Sequence, residues 1–259
     1  MTAAHPVSGL PAHRVLVTGS AGAIGRPVCR ELRARGHFVR GFDLKASPVA
    51  DEVVVGSIVD AAAVEAAMEG ITAVVHLAAE VDDCDFISRL IPANYIGAFN
   101  VLDAARRHKV QRLAIASSGQ VYGPNGRGAG VIPPDVEPAP MNQYAISKVF
   151  LEHMSRMIAR QEHIPTVVGR IAWLPRTPAT VRYMKERNAQ AHYLSQADAG
   201  RFFACAIEAA NVEFAILFVR SKTDATEGLD MAPAKAIIGY EPQDRFPEGL
   251  DFPLDATAG

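Results

Sequence analysis

The chain has 259 residues, 49% of them hydrophobic, and a formal net charge of −2 at pH 7, which suits one sizeable core. The sequence shows no strong basic stripe that would favour nucleic acid as a partner, and no stretch near the roughly 20 apolar residues of a membrane helix. Three scattered cysteines favour a reducing, cytoplasmic setting, and eight histidines without ligand spacing predict no metal site.

The first ordered element is a glycine-rich turn between a strand and a helix. Residues 1–12 lack periodicity and a signal-peptide pattern, so we expect a disordered or extended tail there. A short buried strand over residues 14–18 precedes the turn, and a helical pattern follows it up to Gly36. In this context, spaced glycines allow the backbone to approach a pyrophosphate closely. The alternative interpretation is a flexible turn that binds no ligand. The residues predicted to contact a dinucleotide here are Gly19, Ala21, Gly22, Ala23, Ile24 and Gly25.

A second strand, residues 38–42, ends at Asp43, which lies 18 residues after Gly25. This is near the spacing of about 20 residues at which dinucleotide-binding folds place an acid against the ribose. The carboxylate accepts hydrogen bonds from ribose hydroxyls and repels the extra phosphate of NADP, so the sequence favours NAD. Lys45 keeps NADP as the less expected cofactor, while Arg40, inside the strand, is expected to point away from it.

The alternation of strands and helices continues through the chain. Further strands are predicted at 53–55, 73–77, 112–116, 165–171 and 214–219, with a helix at 60–69. This order predicts an α/β, Rossmann-type doubly wound parallel sheet, with ligands beyond the carboxyl ends of its strands. We expect one structural domain, in which a core over 13–172 binds NAD and a small part over 173–259 binds substrate.

Residues 123–140 contain four glycines and five prolines and are predicted to form a long loop. Loops of this length in compact domains are usually functional or mobile. The position of the loop, directly before the helix that carries Tyr144, suits the rim or lid of an active site.

Tyr144 and Lys148 form the most informative pair, because four residues along a helix put both side chains on one face. An unperturbed tyrosine has a pKa of about 10, and a nearby ammonium favours the phenolate. Such a pair can remove a proton from an alcohol. Taken alone, the two residues could equally be a surface aromatic and its solvated neighbour, Ser117 and Ser118 could cap a turn, and Asn94 could be a helix N-cap.

Several motifs occur together in a fixed order and decide between these readings. They are Thr18-Gly19-x-x-Gly22-x-x-Gly25, Asp43, His76-Leu-Ala-Ala79, Asn94, Ser117-Ser118, Val121-Tyr-Gly123 and Tyr144-x-x-x-Lys148. This set resembles the extended short-chain dehydrogenase/reductase family, in its NAD-dependent epimerase/dehydratase branch, over most of residues 13–172.

The resemblance implies a role for each motif residue. Tyr144 would be the general base or acid, Lys148 would hold the nicotinamide ribose and favour the tyrosinate, and Ser118 would bind the reacting oxygen. Asn94 would support the geometry of the site. Further cofactor contacts are implied at Leu44, Ser57, Ile58, Leu77, Ala78, Ala79 and Ala116. Ser57 stands where the family usually has an aspartate, and a weaker contact with the adenine amine is expected from it.

The resemblance implies a small substrate, because family members that hold nucleotide sugars usually have a larger carboxyl-terminal part than the 88 residues from Ala172 onward. This segment resembles the uronate dehydrogenases, which oxidise the anomeric carbon of a hexuronic acid to a lactone. In that comparison Arg182 falls where an arginine grips the carboxylate of the sugar acid. Gln120, Trp173 and Ser117 are the other expected substrate contacts. Val81 and Trp173 replace small hydroxyl residues and Gln120 replaces a histidine, which implies a different or less polar substrate. Arg182 could also be a surface residue, and Trp173 a core residue.

The function predicted from the sequence is NAD-dependent oxidation of a hydroxyl on a small sugar, sugar acid or related alcohol. The alternatives are an epimerase or dehydratase that retains NAD, and a non-catalytic NAD-binding regulatory protein. The resemblance also implies a homodimer through helices 92–107 and 143–160, both of which carry apolar residues on more than one face. For the second helix we expect this face to include Ile146, Val149, Phe150, His153, Met154, Met157 and Ile158.

Overall fold

A computed structural model describes residues 12–81, 84–126 and 130–254, so the predicted tail over 1–12 lies almost wholly outside the described residues. The strands are β1 Arg14–Thr18, β2 Phe38–Asp43, β3 Glu52–Val55, β4 Ala73–His76, β5 Arg112–Ser118, β6 Val131–Ile132, β7 Thr166–Ile171, β8 Phe214–Val219 and β9 Gly228–Leu229. Seven of them form a parallel sheet in the order β3-β2-β1-β4-β5-β7-β8. The predicted α/β, Rossmann-type sheet is confirmed.

Helices cover both faces of this sheet. They are α1 Gly25–Ala34, α2 Ala61–Met68, α3 Ala98–Arg107, α4 Gln143–Glu162, α5 Pro178–Glu186, α6 Gln196–Glu208 and α7 Ala232–Ile238. Because side chains alternate along a strand, Val15 and Val17 of β1 join the core with α1 and α6, whereas Leu16 joins the core with α2, α3 and α4. The sheet is therefore doubly wound.

The expected ligand site lies where the winding of the sheet reverses, between β1 and β4. These strands are neighbours, and Thr18 of β1 stands beside His76 of β4 in the register. The chain winds outward from β1 to β3 on one side and from β4 to β8 on the other. Ligands of such sheets bind in the crevice at the carboxyl ends of the strands next to this switch point.

The helix predicted to begin at Pro92 begins six residues earlier. A wide-turn helical segment of the π type, Phe86–Gly97, leads directly into α3. Its start is capped by Asp85, whose side chain accepts a hydrogen bond from the backbone N–H of Ser88 at 2.7 Å. Proline is favoured in the first turn of a helix, which made Pro92 a plausible start, but here it lies inside the helical segment. Asn94 is therefore not an N-cap.

The predicted loop over 123–140 carries some regular structure. Helical turns run over Gly119–Gly126, and β6 pairs in parallel with β9. The predicted substrate part over 173–259 also contributes to the main sheet, because β8 pairs with β7, and α6 packs against the same core as α1.

Candidate active site

A cavity of about 660 Å³ lies at the carboxyl ends of the central strands. Its walls come from the residues after β4, from the end of β5, from the residues after β7 and from the first turns of α4. The predicted site residues that line it are Ile24, Leu77, Ala79, Ala116, Ser117, Ser118, Gln120, Tyr144, Lys148 and Trp173. The structure therefore brings the residues of several separate motifs into one cavity.

Lys148 is held beneath Tyr144 in the wall of this cavity. Its side chain is buried, its Nζ donates a hydrogen bond to the carbonyl oxygen of Ala116 at 2.9 Å, and it lies 5.6 Å from the centroid of the Tyr144 ring. Burial lowers the pKa of Lys148 to about 8, and the carboxylate of Glu152 partly opposes this shift. A lysine with this pKa is mostly charged at neutral pH and loses its charge in mild alkali.

The helix that carries Tyr144 and Lys148 begins where it does because Asn142 caps it. The Asn142 side-chain oxygen accepts a hydrogen bond from the backbone N–H of Ala145 at 2.8 Å. The Asn142 amide also donates to the side-chain oxygen of Gln120 at 2.9 Å. Gln120 is therefore a lining residue of the cavity whose side chain is tied to the helix cap.

Asn94 connects the segment after β4 with α4. Its side-chain oxygen accepts from the backbone N–H of Glu80 at 2.8 Å, and its amide donates to the carbonyl oxygen of Glu80 at 3.0 Å and to Ser147 Oγ at 2.9 Å. Ser147 in turn donates to the carbonyl oxygen of Tyr144 at 2.7 Å. The amide group of Asn94 thus fixes two walls of the cavity relative to each other.

The two serines at the end of β5 have different surroundings. Ser118 lines the cavity, and its Oγ accepts a hydrogen bond from the backbone N–H of Gln120 at 3.2 Å, which leaves the hydroxyl able to donate. The Ser117 hydroxyl instead donates to Glu152 Oε1 at 2.5 Å inside the protein. Ser117 also lines the cavity, so its predicted substrate contact stays a prediction, although its hydroxyl is engaged by Glu152.

The glycine turn is closed too tightly for larger residues. A Cβ at Gly25 would lie 2.0 Å from the carbonyl oxygen of Gly19, and a Cβ at Gly19 would lie 2.8 Å from the backbone nitrogen of Ala78. Gly19 also has a φ of +72°, in the left-handed region. Ile24 stands at the N-cap position of α1, and no side chain caps the helix there. These features form a cradle of backbone groups that fits a pyrophosphate.

Asp43 stands at the end of β2, next to this turn. Its two carboxylate oxygens accept hydrogen bonds from the backbone N–H groups of Ala21 at 3.0 Å and Lys45 at 3.1 Å. Leu44 is exposed beside it, and Ser57 and Ile58 follow the neighbouring strand β3. Arg40 points away, as expected, because its guanidinium donates to Glu52 and to the carbonyl oxygens of Ala67 and Glu69.

His76, at the end of β4, lies beside Thr18 of β1 and interacts electrostatically with Lys148. It is buried, and its Nδ1 lies 2.8 Å from Thr18 Oγ1. Burial, with a smaller contribution from the charge of Lys148, lowers the pKa of His76 to about 3. The ring is therefore neutral at physiological pH and acts as a hydrogen-bonding spacer between β1 and β4.

Arg182 is the predicted residue that the structure does not bring to the site. It lies on α5 with an exposed side chain and outside the lining of the cavity, whereas Arg176, before the start of α5, lines it. Trp173 is half-buried in the cavity wall, with its ring centroid 5.7 Å from that of Tyr183. Lining residues for which the sequence predicted no contact are Gly119, Ile171, Ala172, Leu174, Arg176, Thr180 and His192. Tyr122 and Gly123, from a motif to which the sequence analysis gave no role, line the cavity as well.

Two kinds of site are not found in the part of the chain that the structure describes. No group of three or more His, Cys, Asp or Glu side chains among those residues is placed to hold a metal ion. None of the described helices is long and apolar enough to span a membrane.

The sheet, the glycine cradle and the Tyr144–Lys148 cavity define a dinucleotide-binding fold with a proton-transfer site. Residues 15–174 match the NAD dependent epimerase/dehydratase family, and the chain belongs to that family.

Its relatives include a uronate dehydrogenase from Pseudomonas syringae pv. tomato, with 36% identity over 48% of this chain and 46% of that protein. The chain thus spans about half the length of this relative. An NAD-dependent glucose-6-phosphate dehydrogenase from Haloferax volcanii is 30% identical over 90% of this chain and 94% of its own length. Among solved structures, a mutant uronate dehydrogenase from Agrobacterium tumefaciens complexed with NAD has 26% identity, a TM-score of 0.75, and coverage of 90% of this chain and 86% of that one.

Proposed function

We propose that this protein is an NAD-dependent oxidoreductase that oxidises a hydroxyl of a small sugar or sugar acid. The observation that carries this proposal is the meeting of Tyr144, Lys148 and Ser118 in one cavity at the switch point of the sheet. The family and its dehydrogenase relatives support the reaction class. A non-catalytic NAD-binding protein would not require this set of residues.

The backbone cradle of residues 19–25 fits the pyrophosphate of NAD, and the carboxylate of Asp43 fits the adenosine ribose. Each carboxylate oxygen of Asp43 has a second acceptor site beyond the backbone N–H that it already binds. A negative charge there disfavours the extra phosphate of NADP. The remaining contacts with NAD would come from Leu44, Ser57, Ile58 and Ala78, and from the cavity-lining residues Leu77, Ala79 and Ala116.

NAD, when bound, supplies the acceptor for hydride from the substrate carbon. Tyr144 would take the proton of the substrate hydroxyl, and the ammonium of Lys148 would stabilise the resulting phenolate. Ser118 would donate a hydrogen bond to the same substrate oxygen. Asn94 would keep the segment after β4 and the first turn of α4 at the distance that this geometry needs.

We infer that Arg176, and not Arg182, faces the acidic group of the substrate. Arg176 lines the cavity on the side of Trp173, and a guanidinium is suited to binding a carboxylate or phosphate. Two of the relatives are named for substrates that carry such a group, a uronate and glucose-6-phosphate. Trp173 would offer an apolar wall against the sugar ring.

Sugar epimerisation with retained NAD is the second candidate, because the family includes epimerases as well as dehydrogenases. Purified protein with NAD and a panel of sugar acids, sugar phosphates, aldoses and simple secondary alcohols would separate the two. A dehydrogenase accumulates NADH, seen by absorbance, with at least one member of the panel. Conversion of a sugar without net NADH would favour the epimerase, and no conversion with NAD bound would contradict both.

We also propose a homodimer through an apolar face that is exposed in the single chain. Five apolar side chains of this face are each 38–49% exposed. They are Phe86 and Ile96 on the segment that leads into α3, Phe99 on α3, and Ile146 and Met157 on α4. The face on α4 is smaller than the sequence predicted, because Ile158 is buried in the core of the chain itself. Val101 and Leu102 of α3 are buried in the same core. The three cysteines form no disulfide among the described residues, which supports the proposed cytoplasmic location.

Light scattering tests the dimer. We expect Phe99→Glu combined with Ile146→Glu to give a monomer, because two charges would be buried at the interface. Ile237→Glu, at an exposed apolar residue of α7, is the matched control and should leave the dimer intact. A wild-type monomer at micromolar concentration would contradict the proposal.

A further inference from the structure

A buried ionic cluster lies beneath the catalytic helix. Glu152 of α4 and Arg170 of β7 are both 2% exposed. Arg170 binds the carboxylate with two parallel hydrogen bonds, from Nε to Oε1 and from Nη2 to Oε2, both at 2.9 Å. Ser117 adds a third, from its hydroxyl to Oε1. A bidentate pair of this kind fixes the position of both groups, and burial makes its loss costly.

This carboxylate lies one helical turn from Lys148, on the same face of α4. The strand opposite holds both groups through neighbouring residues, because the carbonyl oxygen of Ala116 accepts from Lys148 and the hydroxyl of Ser117 donates to Glu152. The lysine and the carboxylate are therefore clamped against the end of β5 as a unit.

The charged and titratable groups around Lys148 come from three elements. Tyr144 and Glu152 share its helix, His76 faces it from β4, and Arg170 approaches from β7 with its charge engaged by Glu152. Burial pushes Lys148 toward its neutral form, and Glu152 is the neighbour whose charge pushes it back toward the ammonium. His76 is neutral at physiological pH and adds no counter-charge.

We propose that Glu152 is a positioning residue for the reaction, which holds Lys148 in place and in its charged form while Ser117 and Arg170 fix the carboxylate. The proposal rests on the proposed function, because it is the ammonium of Lys148 that stabilises the phenolate of Tyr144. Glu152 itself stands apart from the substrate and acts through Lys148.

Arg170 extends the cluster to the segment beside the cavity. Its Nη1 donates to the carbonyl oxygens of Pro134 at 3.0 Å and Val136 at 3.2 Å. Removing Glu152 alone would leave this arginine buried without its carboxylate, so a loss of activity in Glu152→Gln could reflect unfolding. A second variant, Glu152→Gln combined with Arg170→Gln, removes both charges together and offers two amides that can bond each other.

The direct test is the titration of Lys148 in protein labelled with ¹³C-lysine, followed by NMR, with the signal assigned from Lys148→Met. The wild-type midpoint is expected near a pKa of about 8, the net result of burial and of the opposing carboxylate of Glu152. In Glu152→Gln, we expect the midpoint to fall by about one pH unit, because the opposing carboxylate is gone. In the double variant we expect a smaller fall, because the positive charge of Arg170 is removed as well. Glu152→Asp keeps the charge and should bring the midpoint back toward that of the wild type.

Activity supplies a second readout. The pH at which kcat falls on the alkaline side should decrease in each variant. The decrease should equal the change in the NMR midpoint of Lys148 in that variant. A purely structural role predicts instead that the double variant regains both the melting temperature and the wild-type pH profile, and that result would overturn the proposal. An unchanged NMR midpoint would also overturn it. If Glu152→Gln lowers the Lys148 midpoint but the wild-type protein forms no NADH with any substrate, the proposed function is contradicted, and only the electrostatic effect of Glu152 on Lys148 stands.

Discussion

The two sides of the switch point hold their ligands by different means. On the side of β1 and β2, the expected contacts are backbone groups of a turn that only glycine fits, together with Asp43 at a strand end. On the side of β5 and β7, they are side chains of residues that follow the strands, such as Trp173 and Arg176. The first side is constrained by backbone sterics, whereas the second depends on the path of a connecting segment. Changes to the tightly packed glycines of the turn should therefore be all-or-none, whereas changes to side chains such as Asp43 or Arg176 should alter affinity or specificity.

The largest effect is expected from Gly25→Ala, because its Cβ would lie 2.0 Å from the carbonyl oxygen of Gly19. We expect loss of NAD binding and a destabilisation of about 2 kcal/mol or more, measured by calorimetric titration and thermal unfolding. Gly22→Ala is the matched control, since its Cβ would meet the same oxygen at 3.2 Å and needs only a small shift. Equal stability of the two variants would contradict this account of the turn.

On the substrate side, we expect Arg176→Met to raise the KM for an acidic sugar by about ten- to a hundredfold, the usual cost of losing a charge-assisted hydrogen bond. The KM for a neutral aldose should change little, because no anionic group is lost from the contact. Arg182→Met is the control, and its kinetics should match those of the wild type because Arg182 is exposed outside the cavity. The opposite pattern would restore Arg182 as the anion-binding residue.

A smaller effect is expected from Asp43→Asn. The amide oxygen can still accept the hydrogen bond from the backbone N–H of Ala21, so the turn should stay intact. NAD affinity should fall about tenfold, and the preference over NADP should narrow, because the charge that repels the extra phosphate is gone. Glu52→Gln, at a carboxylate engaged by Arg40, should leave the preference unchanged. An unaltered ratio of kcat/KM for the two cofactors in Asp43→Asn would argue against this role.

The effect that is smallest at neutral pH concerns His76, which lies between β1 and Lys148. Its pKa is lowered to about 3 in the folded protein from 6.5, so the unfolded chain binds the proton more readily. The folded state therefore loses stability as the pH falls from 6.5 toward 3, by at most about 1.4 kcal/mol per pH unit from this group. His76→Asn should flatten the loss of stability between pH 6.5 and 5 in denaturant titrations. An unchanged slope would show that His76 titrates freely.

The cofactor side could be predicted closely because its signals are local. A buried strand, three spaced glycines and an acid at the next strand end each follow from the backbone that they need, and the structure has Gly19, Asp43, Ala78 and Ser118 at the carboxyl edge. The early start of the helix before Asn94 could not be predicted, because Pro92 is a strong start signal and an internal π-type turn leaves no pattern in the sequence.

The substrate side could be predicted only in part. Arg182 is implied as the carboxylate contact only by a resemblance, and a resemblance carries no information on how residues 172–178 cross the cavity. The segment turns into α5 at Pro178, so Arg176 enters the lining and Arg182 does not. Ser117 lines the cavity, but the sequence does not show that its hydroxyl donates to Glu152, which lies 35 residues away in the chain.

In the proposed reaction Tyr144 takes the proton of the substrate hydroxyl, and the rate of NADH formation in Tyr144→Phe at saturating NAD measures this role. Tyr122→Phe is the matched control, because Tyr122 lines the same cavity while its ring packs against Phe218 at 5.7 Å between centroids. We predict a loss of about a hundredfold or more for Tyr144→Phe with NAD binding intact, and a nearly unchanged rate for Tyr122→Phe. A wild-type rate in Tyr144→Phe would contradict the account.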